Sequence, residues 1–247
     1  MFIGNARSGS TVSRTIIDAH PNAIISSEVN VIEKLMQGIN KLELFRLILE
    51  NSQHFATELQ EWTGYSYYIP GQWSGKYSSL LVIGDKKAGV TCSLIHQNPG
   101  VLNELLRTVK LPLKLIHTVR NPFDNISTKI LRNKKGSTFN INRYFLLEEV
   151  VFCLQKKLSD STVFHLKHEL LIEKPIEVIR EVCRFLELEP YEDYLKVCSK
   201  LIYKKPHKTR FDYKWEKKHI KLVQEMMKRY PWFNGYTYED QELTSDQ

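Results

Sequence analysis

Two glycines, an arginine and two hydroxyl residues stand close together near residue 1, in a spacing that suits phosphate binding. Gly4 and Gly9 enclose a turn that contains Arg7, and Ser10 and Thr11 follow directly. A short apolar run precedes the turn and a helical apolar pattern follows it, which predicts a strand, a loop and a helix. Glycines let such a loop turn its backbone N–H groups inward, and the helix N-terminus adds partial positive charge. We therefore expect an anion site here, suited to one phosphate.

The spacing resembles the G-x-x-x-x-G-K-[ST] template of nucleoside-triphosphate-binding loops, with one departure. Ser10 stands where the template has the lysine that reaches the β- and γ-phosphates, and the cation comes earlier, at Arg7. This departure argues against an ATPase or a kinase. Taken alone, a glycine-rich turn between a strand and a helix is just as often a simple connection without a ligand. Assignment of a phosphate site therefore depends on the remaining motifs.

Further basic residues follow apolar runs that predict strands. Four such runs are separated by helical patterns: residues 23–26, 80–83, 114–119 and 162–166. Strands that alternate with helices predict an α/β fold with three layers, α/β/α, around a central parallel sheet. Because the carboxyl ends of parallel strands meet at one edge, we expect Arg7, Lys86 and Arg120 to lie together there.

The length of 247 residues suits a single domain that buries a core without disulfides, so we predict one domain over residues 1–247. The helical pattern of residues 31–50 has one expected break near Gly38. Aromatic residues and glycines then alternate without a stable period, which predicts a loop insertion over about residues 51–79. Over about residues 170–247 the pattern is mainly helical.

Charge and cysteine usage limit the expected partners and compartment. The formal net charge is +7 and is spread over lysine doublets, so we expect a solvated basic surface with a small anionic ligand, and no nucleic acid. The four cysteines form no C-x-x-C pair, which favours a reducing, cytoplasmic setting. The first apolar run is short for a signal peptide and no run has membrane-spanning length, so we expect no membrane association. His117, His165 and His168 lack metal-ligand spacing, so we expect no metal.

The order of these motifs resembles that of sulfotransferases that use 3′-phosphoadenosine 5′-phosphosulfate (PAPS). Residues 4–11 (GNARSGST) are similar to the family's 5′-phosphosulfate-binding loop, in which a basic residue stands two positions before the second glycine. Residues 119–128 (VRNPFDNIST) are similar to its 3′-phosphate motif. The resemblance implies donor contacts from eight residues: Arg7, Ser8, Gly9, Ser10, Thr11, Arg120, Ser127 and Thr128.

Two later segments extend the resemblance along the chain. Residues 164–175 resemble the family's strand, acidic turn and helix beyond the donor site, where the family usually has tyrosine and this chain has His168. The resemblance gives His168 an adenine-side contact. Residues 205–210 (KPHKTR) lie where the family has a basic loop over the 3′-phosphate, although its Arg-Lys-Gly form is absent. This match assigns Lys208 and Arg210 to that phosphate.

Within the family, the chain is most similar to the branch of tyrosylprotein and many bacterial sulfotransferases. That branch has Asp-Ala-His-Pro and then a glutamate soon after the loop helix, and this chain has residues 18–21 (DAHP) followed by Glu28. The resemblance implies that Glu28 is the catalytic base. Residues 84–87 (GDKK) resemble the branch's Asn/Asp-Lys segment, which implies a role for Lys86 at the transferring group.

These roles agree with the chemistry of sulfuryl transfer. A sulfuryl group carries less negative charge than a phosphoryl group, so fixed cations such as Arg7 and Lys86 can replace magnesium at its oxygens. A carboxylate such as Glu28 can take the proton of an attacking hydroxyl or amine. The expected donor product is adenosine 3′,5′-bisphosphate, and the expected acceptor is a small molecule, with a peptide as the alternative.

Two other functions and a second base stay open. A small-molecule kinase on the same scaffold would need a magnesium-binding acid, for which Asp85 is available. A protein that only holds an adenine nucleotide needs no base. If Glu28 is not the base, His117 and His168 are the nearest candidates. We expect the acceptor pocket to lie over Glu28, beneath the aromatic loop of residues 62–77, and the oligomeric state is left open.

Overall fold

The computed structural model describes residues 1–58, 61–62 and 65–239. The first half contains the elements β1 (Phe2–Ile3), α1 (Ser10–Asp18), β2 (Ala23–Ser27), α2 (Val31–Met36), α3 (Lys41–Glu58), β3 (Glu61–Trp62), β4 (Tyr65–Ser66), β5 (Val82–Lys86), α4 (Ala88–Gln97) and α5 (Val101–Val109). The second half contains β6 (Leu115–Val119), α6 (Pro122–Asn133), α7 (Ser137–Lys157), β7 (Val163–Lys167), α8 (His168–Glu173), α9 (Pro175–Phe185), α10 (Glu192–Ser199) and α11 (Lys217–Met227).

Five strands run parallel and form the middle layer. β6 pairs with both β1 and β7, and β2 pairs with β5. The strand pair β2–β5 and the three-stranded group β1–β6–β7 meet where β1 lies beside β5. The strand order is therefore β2, β5, β1, β6, β7. β3 and β4 form a separate antiparallel pair. The predicted α/β class with parallel strands between helices is confirmed.

Alternate residues along the strands pack into two separate cores, as the two-residue period of a strand requires. Phe2 and Ile25 belong to one core, together with residues of α1, α8, α9 and α10. Ile3 and Ile24 belong to the other core, which α2 to α7 and α11 cover. The helices therefore form a layer on each face of the strands.

Two predicted boundaries are wrong, and burial explains both. The helix predicted to end at residue 50 continues to Glu58 because Ser52 and Phe55 are buried on its inner face, so the insertion begins later than residue 51. The strand predicted at residues 80–83 is β5, which runs to Lys86. Leu81 is 66% exposed, whereas Asp85 and Lys86 are buried with polar partners. Hydrophobicity alone therefore placed the strand too early.

The break near Gly38 is confirmed, with a φ of 81° between α2 and α3. The predicted helical part beyond residue 170 contains α9, α10 and α11, but residues 200–216 are irregular apart from one short turn at Thr209–Phe211. Residues 240–247 of that prediction lie outside the described part. Within the described part of the chain, no helix is long and apolar enough to cross a membrane.

Candidate active site

The carboxyl ends of the parallel strands carry the predicted site residues. Glu28 follows β2, Lys86 ends β5, Arg120 follows β6 and His168 follows β7. The loop after β1 contains Arg7. These five residues come from widely separated parts of the chain, and the parallel arrangement of the strands brings them to one edge.

The loop from Gly4 to Gly9 uses left-handed backbone at three positions, with φ values of 99° at Gly4, 69° at Arg7 and 89° at Gly9. A Cβ at Gly4 would lie 2.4 Å from the His117 ring, and one at Gly9 would lie 2.3 Å from the His168 ring. Glycine therefore lets the loop backbone lie directly on two imidazoles. Gly9 caps α1 without a side-chain hydrogen bond, so the first N–H groups of this helix suit an anion over the loop.

Buried hydrogen bonds hold the loop from below. The Ser8 hydroxyl donates to the Asn5 carbonyl at 2.7 Å and lies 2.6 Å from the Thr118 hydroxyl. The Asn5 amide donates to Glu148 at 2.7 Å. The Ser8 side chain is thus occupied with the shape of the loop, which leaves its backbone N–H for the predicted donor contact.

Glu28 forms an ion-pair cluster with two lysines at the ends of β2 and β5. Lys86 Nζ lies 2.9 Å and Lys87 Nζ 2.5 Å from the two carboxylate oxygens of Glu28. The Glu28 side chain is 38% exposed and the Lys86 side chain 4%. Glu28 has a φ of 71°, which turns the chain sharply after β2. The cluster therefore presents the Glu28 carboxylate and the Lys87 ammonium to solvent at the strand edge, with the Lys86 ammonium buried behind them.

The electrostatics keep Glu28 ionised. Partial burial raises its pKa, but the hydrogen bonds and charges of Lys87 and Lys86 outweigh this, and the pKa of Glu28 is lowered from its ordinary value of 4.5. Burial lowers the pKa of Lys86, and the Glu28 charge opposes that effect. A carboxylate that stays ionised at neutral pH has the protonation state that a general base needs.

Asp85 organises the Glu28 turn, and the sequence analysis missed this role. Its carboxylate accepts hydrogen bonds from the backbone N–H groups of Val29 (3.0 Å) and Asn30 (2.9 Å) and from the Ser26 hydroxyl (2.7 Å). It is only 3% exposed. The signal available in the sequence was an acidic residue directly before Lys86, but its acceptor role follows from the pairing of β2 with β5.

Arg120 is held by four neutral groups. Its guanidinium donates to the carbonyls of Arg7 (3.2 Å) and His207 (2.6 Å) and to the hydroxyls of Thr128 (3.4 Å) and Thr209 (3.1 Å). The predicted pair of Arg120 with the hydroxyl eight residues later is therefore present. His207 and Thr209, which the sequence analysis did not name as site residues, belong to the 205–210 segment that was matched to a basic loop.

The remaining predicted residues have different surroundings. Ser127 is fully buried and accepts a hydrogen bond from the Trp215 indole at 2.9 Å. Arg210 is 4% exposed and pairs with Asp124 at 2.6 Å, so its side chain binds within the fold. Lys208 is exposed beside them.

His168 packs under Gly9 and lines a cavity with Arg120. Burial and then the Arg120 charge lower the pKa of His168 to about 3, so its ring is neutral. His117, an alternative base, is fully buried beneath the loop, 2.9 Å from His165. Its ring has no route to an acceptor from this position.

Two cavities meet at the loop. The Glu28 cavity has a volume of about 470 Å³ and includes Glu28, Lys86 and Lys87. The Arg120 cavity has a volume of about 380 Å³ and includes Arg120 and His168. Three residues line both cavities: Arg7, Ser10 and Thr11. A ligand that crosses the loop would therefore reach from one cavity into the other.

The acceptor pocket predicted beneath the aromatic loop is not found there. The walls of the Glu28 cavity come from α4, α6 and α7, with Phe139 as its described aromatic residue. Tyr67 of the aromatic loop lines the Arg120 cavity instead. The reason is that the first half of α7 lines the Glu28 cavity, and no local pattern in the sequence predicts this long-range packing. Residues 63 and 64 of that loop lie outside the described part.

Another cavity, of about 230 Å³, lies near the amino ends of the strands, where residues such as Met1, Val82 and Leu113 make it mostly apolar. Its lining includes Asp85 but not Glu28, Lys86 or Arg120. The described residues contain no group of three or more His, Cys, Asp or Glu side chains placed to hold a metal ion.

Comparisons with known proteins agree with this geometry. Residues 1–193 match the family described as "Sulfotransferase family". No curated protein matches the chain. Three solved structures share the fold at identities too low to show more than that. The sulfotransferase domain of the Synechococcus PCC 7002 olefin synthase has 13% identity and a TM-score of 0.51, over 78% of this chain and 74% of that one.

Sulfotransferase STF9 from Mycobacterium avium has 11% identity and a TM-score of 0.53, over 93% of this chain and 74% of that chain. The sulfotransferase domain of the curacin biosynthetic pathway has 14% identity and a TM-score of 0.52, over 92% of this chain and 95% of that chain. The family match spans most of the 247 residues and includes the loop, the Glu28 cluster and Arg120. This chain therefore belongs to the sulfotransferase family.

Proposed function

We propose that this protein transfers the sulfuryl group of PAPS to a hydroxyl or amine of a small-molecule acceptor, with Glu28 as the base. The observation that carries the proposal is the junction of the two cavities at Arg7. On one side Arg120 offers a guanidinium held by neutral partners, and on the other side Glu28 lies between two lysines. A group-transfer enzyme needs a donor site and a base on opposite sides of the transferring group.

The Arg120 cavity fits a nucleoside bisphosphate. The Arg120 fork would bind two phosphate oxygens in exchange for its present bonds to two carbonyls and two hydroxyls, all of them neutral acceptors. The loop and the N-terminus of α1 offer backbone N–H groups to a second phosphate at the junction. The neutral His168 ring and the Tyr67 side chain provide surfaces on which the adenine ring of the nucleotide could pack.

PAPS would supply a sulfuryl group on a phosphate leaving group, and the residues at the junction suit its transfer. Arg7 and Lys86 would bind the sulfuryl and phosphate oxygens and stabilise the charge that develops on the leaving phosphate. Glu28 would take the proton from the acceptor as its oxygen or nitrogen bonds to sulfur and the bond from sulfur to the phosphate oxygen breaks. General-base catalysis of this kind is worth about 10²–10⁴ in rate.

The Glu28 cluster suggests how the base becomes active. Lys86 and Lys87 lower the pKa of Glu28 and so make it a weak base in this structure. When Lys86 turns to a sulfuryl oxygen, Glu28 loses one of its two cationic partners, and its affinity for a proton rises. The proposal therefore couples donor binding to activation of the base.

Two alternatives are less well supported. A kinase would use Asp85 for magnesium, but this carboxylate already accepts hydrogen bonds from Val29, Asn30 and Ser26. A non-catalytic nucleotide-binding protein gives no reason for the Glu28 cavity to adjoin the donor site. The cavity of about 470 Å³ favours a small acceptor over a peptide.

The proposal is tested by the melting temperature of the protein with PAPS, adenosine 3′,5′-bisphosphate or ATP. A ligand at 100 times its Kd adds about 2.7 kcal/mol, which raises the melting temperature by several degrees. We expect the two 3′-phosphorylated nucleotides to raise it more than ATP. Sulfate transfer from PAPS should also persist in EDTA. A larger rise with ATP and magnesium would favour the kinase.

Arg120→Ala sharpens this test. Loss of the fork should remove the advantage of adenosine 3′,5′-bisphosphate over adenosine 5′-monophosphate, because charge-assisted hydrogen bonds to the 3′-phosphate are lost, at about 1.5–3 kcal/mol. Arg132→Ala, at an exposed position on the same helix as Thr128, is the matched control and should keep that advantage. Equal weakening of both nucleotides would assign Arg120 to the fold.

A further inference from the structure

The walls of the Glu28 cavity carry an excess of positive charge. Five basic side chains of the described residues line it: Arg7, Lys86, Lys87, Lys129 and Arg143. Glu28 is the one acidic residue among the described lining residues. Glu28 already pairs with Lys86 and Lys87, and Arg7 lies at the junction with the donor cavity. On the far wall, Lys129 and Arg143 form no ion pair with a carboxylate among the described residues.

Arg143 is the basic group most available to a ligand. It lies on α7, is half-buried, and donates to the Ser93 hydroxyl. Among the described residues, no carboxylate forms an ion pair with it. An arginine presents five N–H donors, so most of them are left for a group inside the cavity.

Lys129 adds a second charge on α6. Its ammonium donates to the Asn5 side chain and lies 5.1 Å from the centroid of the Tyr144 ring. The nearby carboxylate of Glu148 accepts instead from the Asn5 amide (2.7 Å) and the Trp232 indole (2.8 Å). Burial lowers the pKa of Lys129 to about 7, and the Glu148 charge opposes this effect. Because its hydrogen-bond and ring partners are neutral, an anion in the cavity would favour the charged form of Lys129.

The rest of the wall suits a compact molecule with an apolar body. Phe139 is 49% exposed at the cavity, and Asn133 and Asn140 lie beside it, joined by a hydrogen bond of 2.8 Å. A ring or short chain could pack on Phe139 while an anionic group reaches Arg143.

We propose that the acceptor is itself an anion, a small hydroxyl or amine compound with a carboxylate, sulfate or phosphate group that Arg143 and Lys129 bind. The inference rests on the proposed function and names its substrate class. The hydroxyl or amine would lie at Glu28 and the anionic group at the opposite wall, so the two basic residues orient the acceptor for attack. Arg143 and Lys129 would contact the acceptor but not the sulfuryl group that is transferred.

The test uses calorimetric titration with four matched phenols: 4-hydroxyphenylacetate, 4-hydroxyphenyl sulfate, 4-hydroxyphenyl phosphate and the neutral 4-hydroxyphenylacetamide. Titrations are run with and without saturating adenosine 3′,5′-bisphosphate, which occupies the donor cavity. We expect at least one anion to bind about tenfold more tightly than the amide, which is the effect of one charge-assisted hydrogen bond. The three anions distinguish carboxylate from sulfate and phosphate.

Arg143→Gln should remove most of that preference, and Lys129→Met should reduce it. Arg132→Gln, an exposed arginine outside the cavity, should leave it unchanged. Melting temperatures and the affinity for the bisphosphate check that each variant is folded. Two results would overturn the inference: equal binding of the anions and the amide, including no binding of any, or a preference that survives both cavity substitutions.

The affinity for the bisphosphate separates this inference from the proposed function. If wild-type protein binds the bisphosphate and shows no anion preference, the acceptor inference fails and the donor assignment stands. If the anion preference is present without bisphosphate binding, the cavity assignment stands and the proposed donor fails.

Discussion

Two ion-pair clusters, whose acidic members Asp18 and Glu28 lie on either side of β2, have opposite properties. Arg14 and Asp18 on α1 pair at 3.1 Å with side-chain exposures of 1% and 0%. Glu28 pairs with Lys86 and Lys87 at the strand edge, where its side chain is 38% exposed. Burial outweighs the Arg14 charge and raises the pKa of Asp18, whereas the lysines outweigh burial and lower the pKa of Glu28.

The hydrogen bonds explain the difference. The Asp18 carboxylate accepts from the backbone N–H groups of Ile25 (2.7 Å) and Gly75 (3.1 Å) and from the Ser52 hydroxyl (2.6 Å), so it ties β2, α3 and the following loop together. Each oxygen of Glu28 accepts from one lysine ammonium group, and the side chain is 38% exposed to solvent. The motif that resembles Asp-Ala-His-Pro therefore contains a structural carboxylate, and the glutamate after it has the accessible one.

Glu28→Gln should have the largest effect on activity. The amide keeps the size of the side chain but cannot accept a proton, so kcat with PAPS and an acceptor should fall by about 10²–10⁴ while donor affinity stays within a few-fold. Steady-state kinetics and nucleotide titrations measure the two quantities. Unchanged kcat would remove Glu28 as the base.

Asp18→Ala should have the largest effect on stability. It leaves Arg14 charged and buried, and it removes the acceptor of two backbone N–H groups, so we expect a loss of about 3–5 kcal/mol in the free energy of unfolding. Urea denaturation measures this loss.

Glu43→Ala is the matched control for that substitution. It breaks an exposed ion pair with Arg46, whose side chain is 53% exposed, and should cost much less stability than Asp18→Ala. The activity per folded molecule of Asp18→Ala should stay within several-fold of wild type. A stable Asp18→Ala protein with lost activity would reverse the contrast between the two clusters.

The general form of the fold was predictable because strands that alternate with helices allow few arrangements. The apolar runs located β2, β6 and β7 within one or two residues, and the parallel order then placed Arg7, Lys86 and Arg120 together. β5 was misplaced because Asp85 and Lys86 look like loop residues in the sequence, although their partners make them buried strand residues.

The donor side of the site was more predictable than the acceptor side. Residues such as Arg120 and Thr128 lie in one short motif, so spacing alone links them. Arg143 and Phe139 lie on α7, and they line the Glu28 cavity because of long-range packing that their local sequence does not indicate. Ser127 and Arg210 show the converse, since their motif positions matched but their side chains bond to Trp215 and Asp124.

Lys87→Met should have the smallest effect and tests the electrostatic side of the comparison. A group with a lowered pKa is ionised over most of the pH range and loses its charge only at acid pH. If Glu28 is the base, kcat of the wild type should fall at acid pH with a midpoint below 4.5, the ordinary pKa of a glutamate. We call this fall the acid limb. The hydrogen bond from Lys87 is the largest single influence that lowers this pKa, so removal of Lys87 should move the limb to higher pH.

A partly exposed charge pair is worth about 0.2–1 kcal/mol, and one pH unit corresponds to about 1.4 kcal/mol, so we expect the limb to move by less than about one pH unit. The measurement is kcat against pH with saturating donor and acceptor. Lys221→Met, at an exposed lysine on α11, should leave the limb in place. Sodium chloride should shift the wild-type limb in the same direction as Lys87→Met, since salt screens exposed charges, and it should have a smaller effect on the variant. An acid limb that does not move in Lys87→Met would mean that another group sets the acid limit. The Glu28 cluster would then serve the fold, as the Arg14–Asp18 pair does.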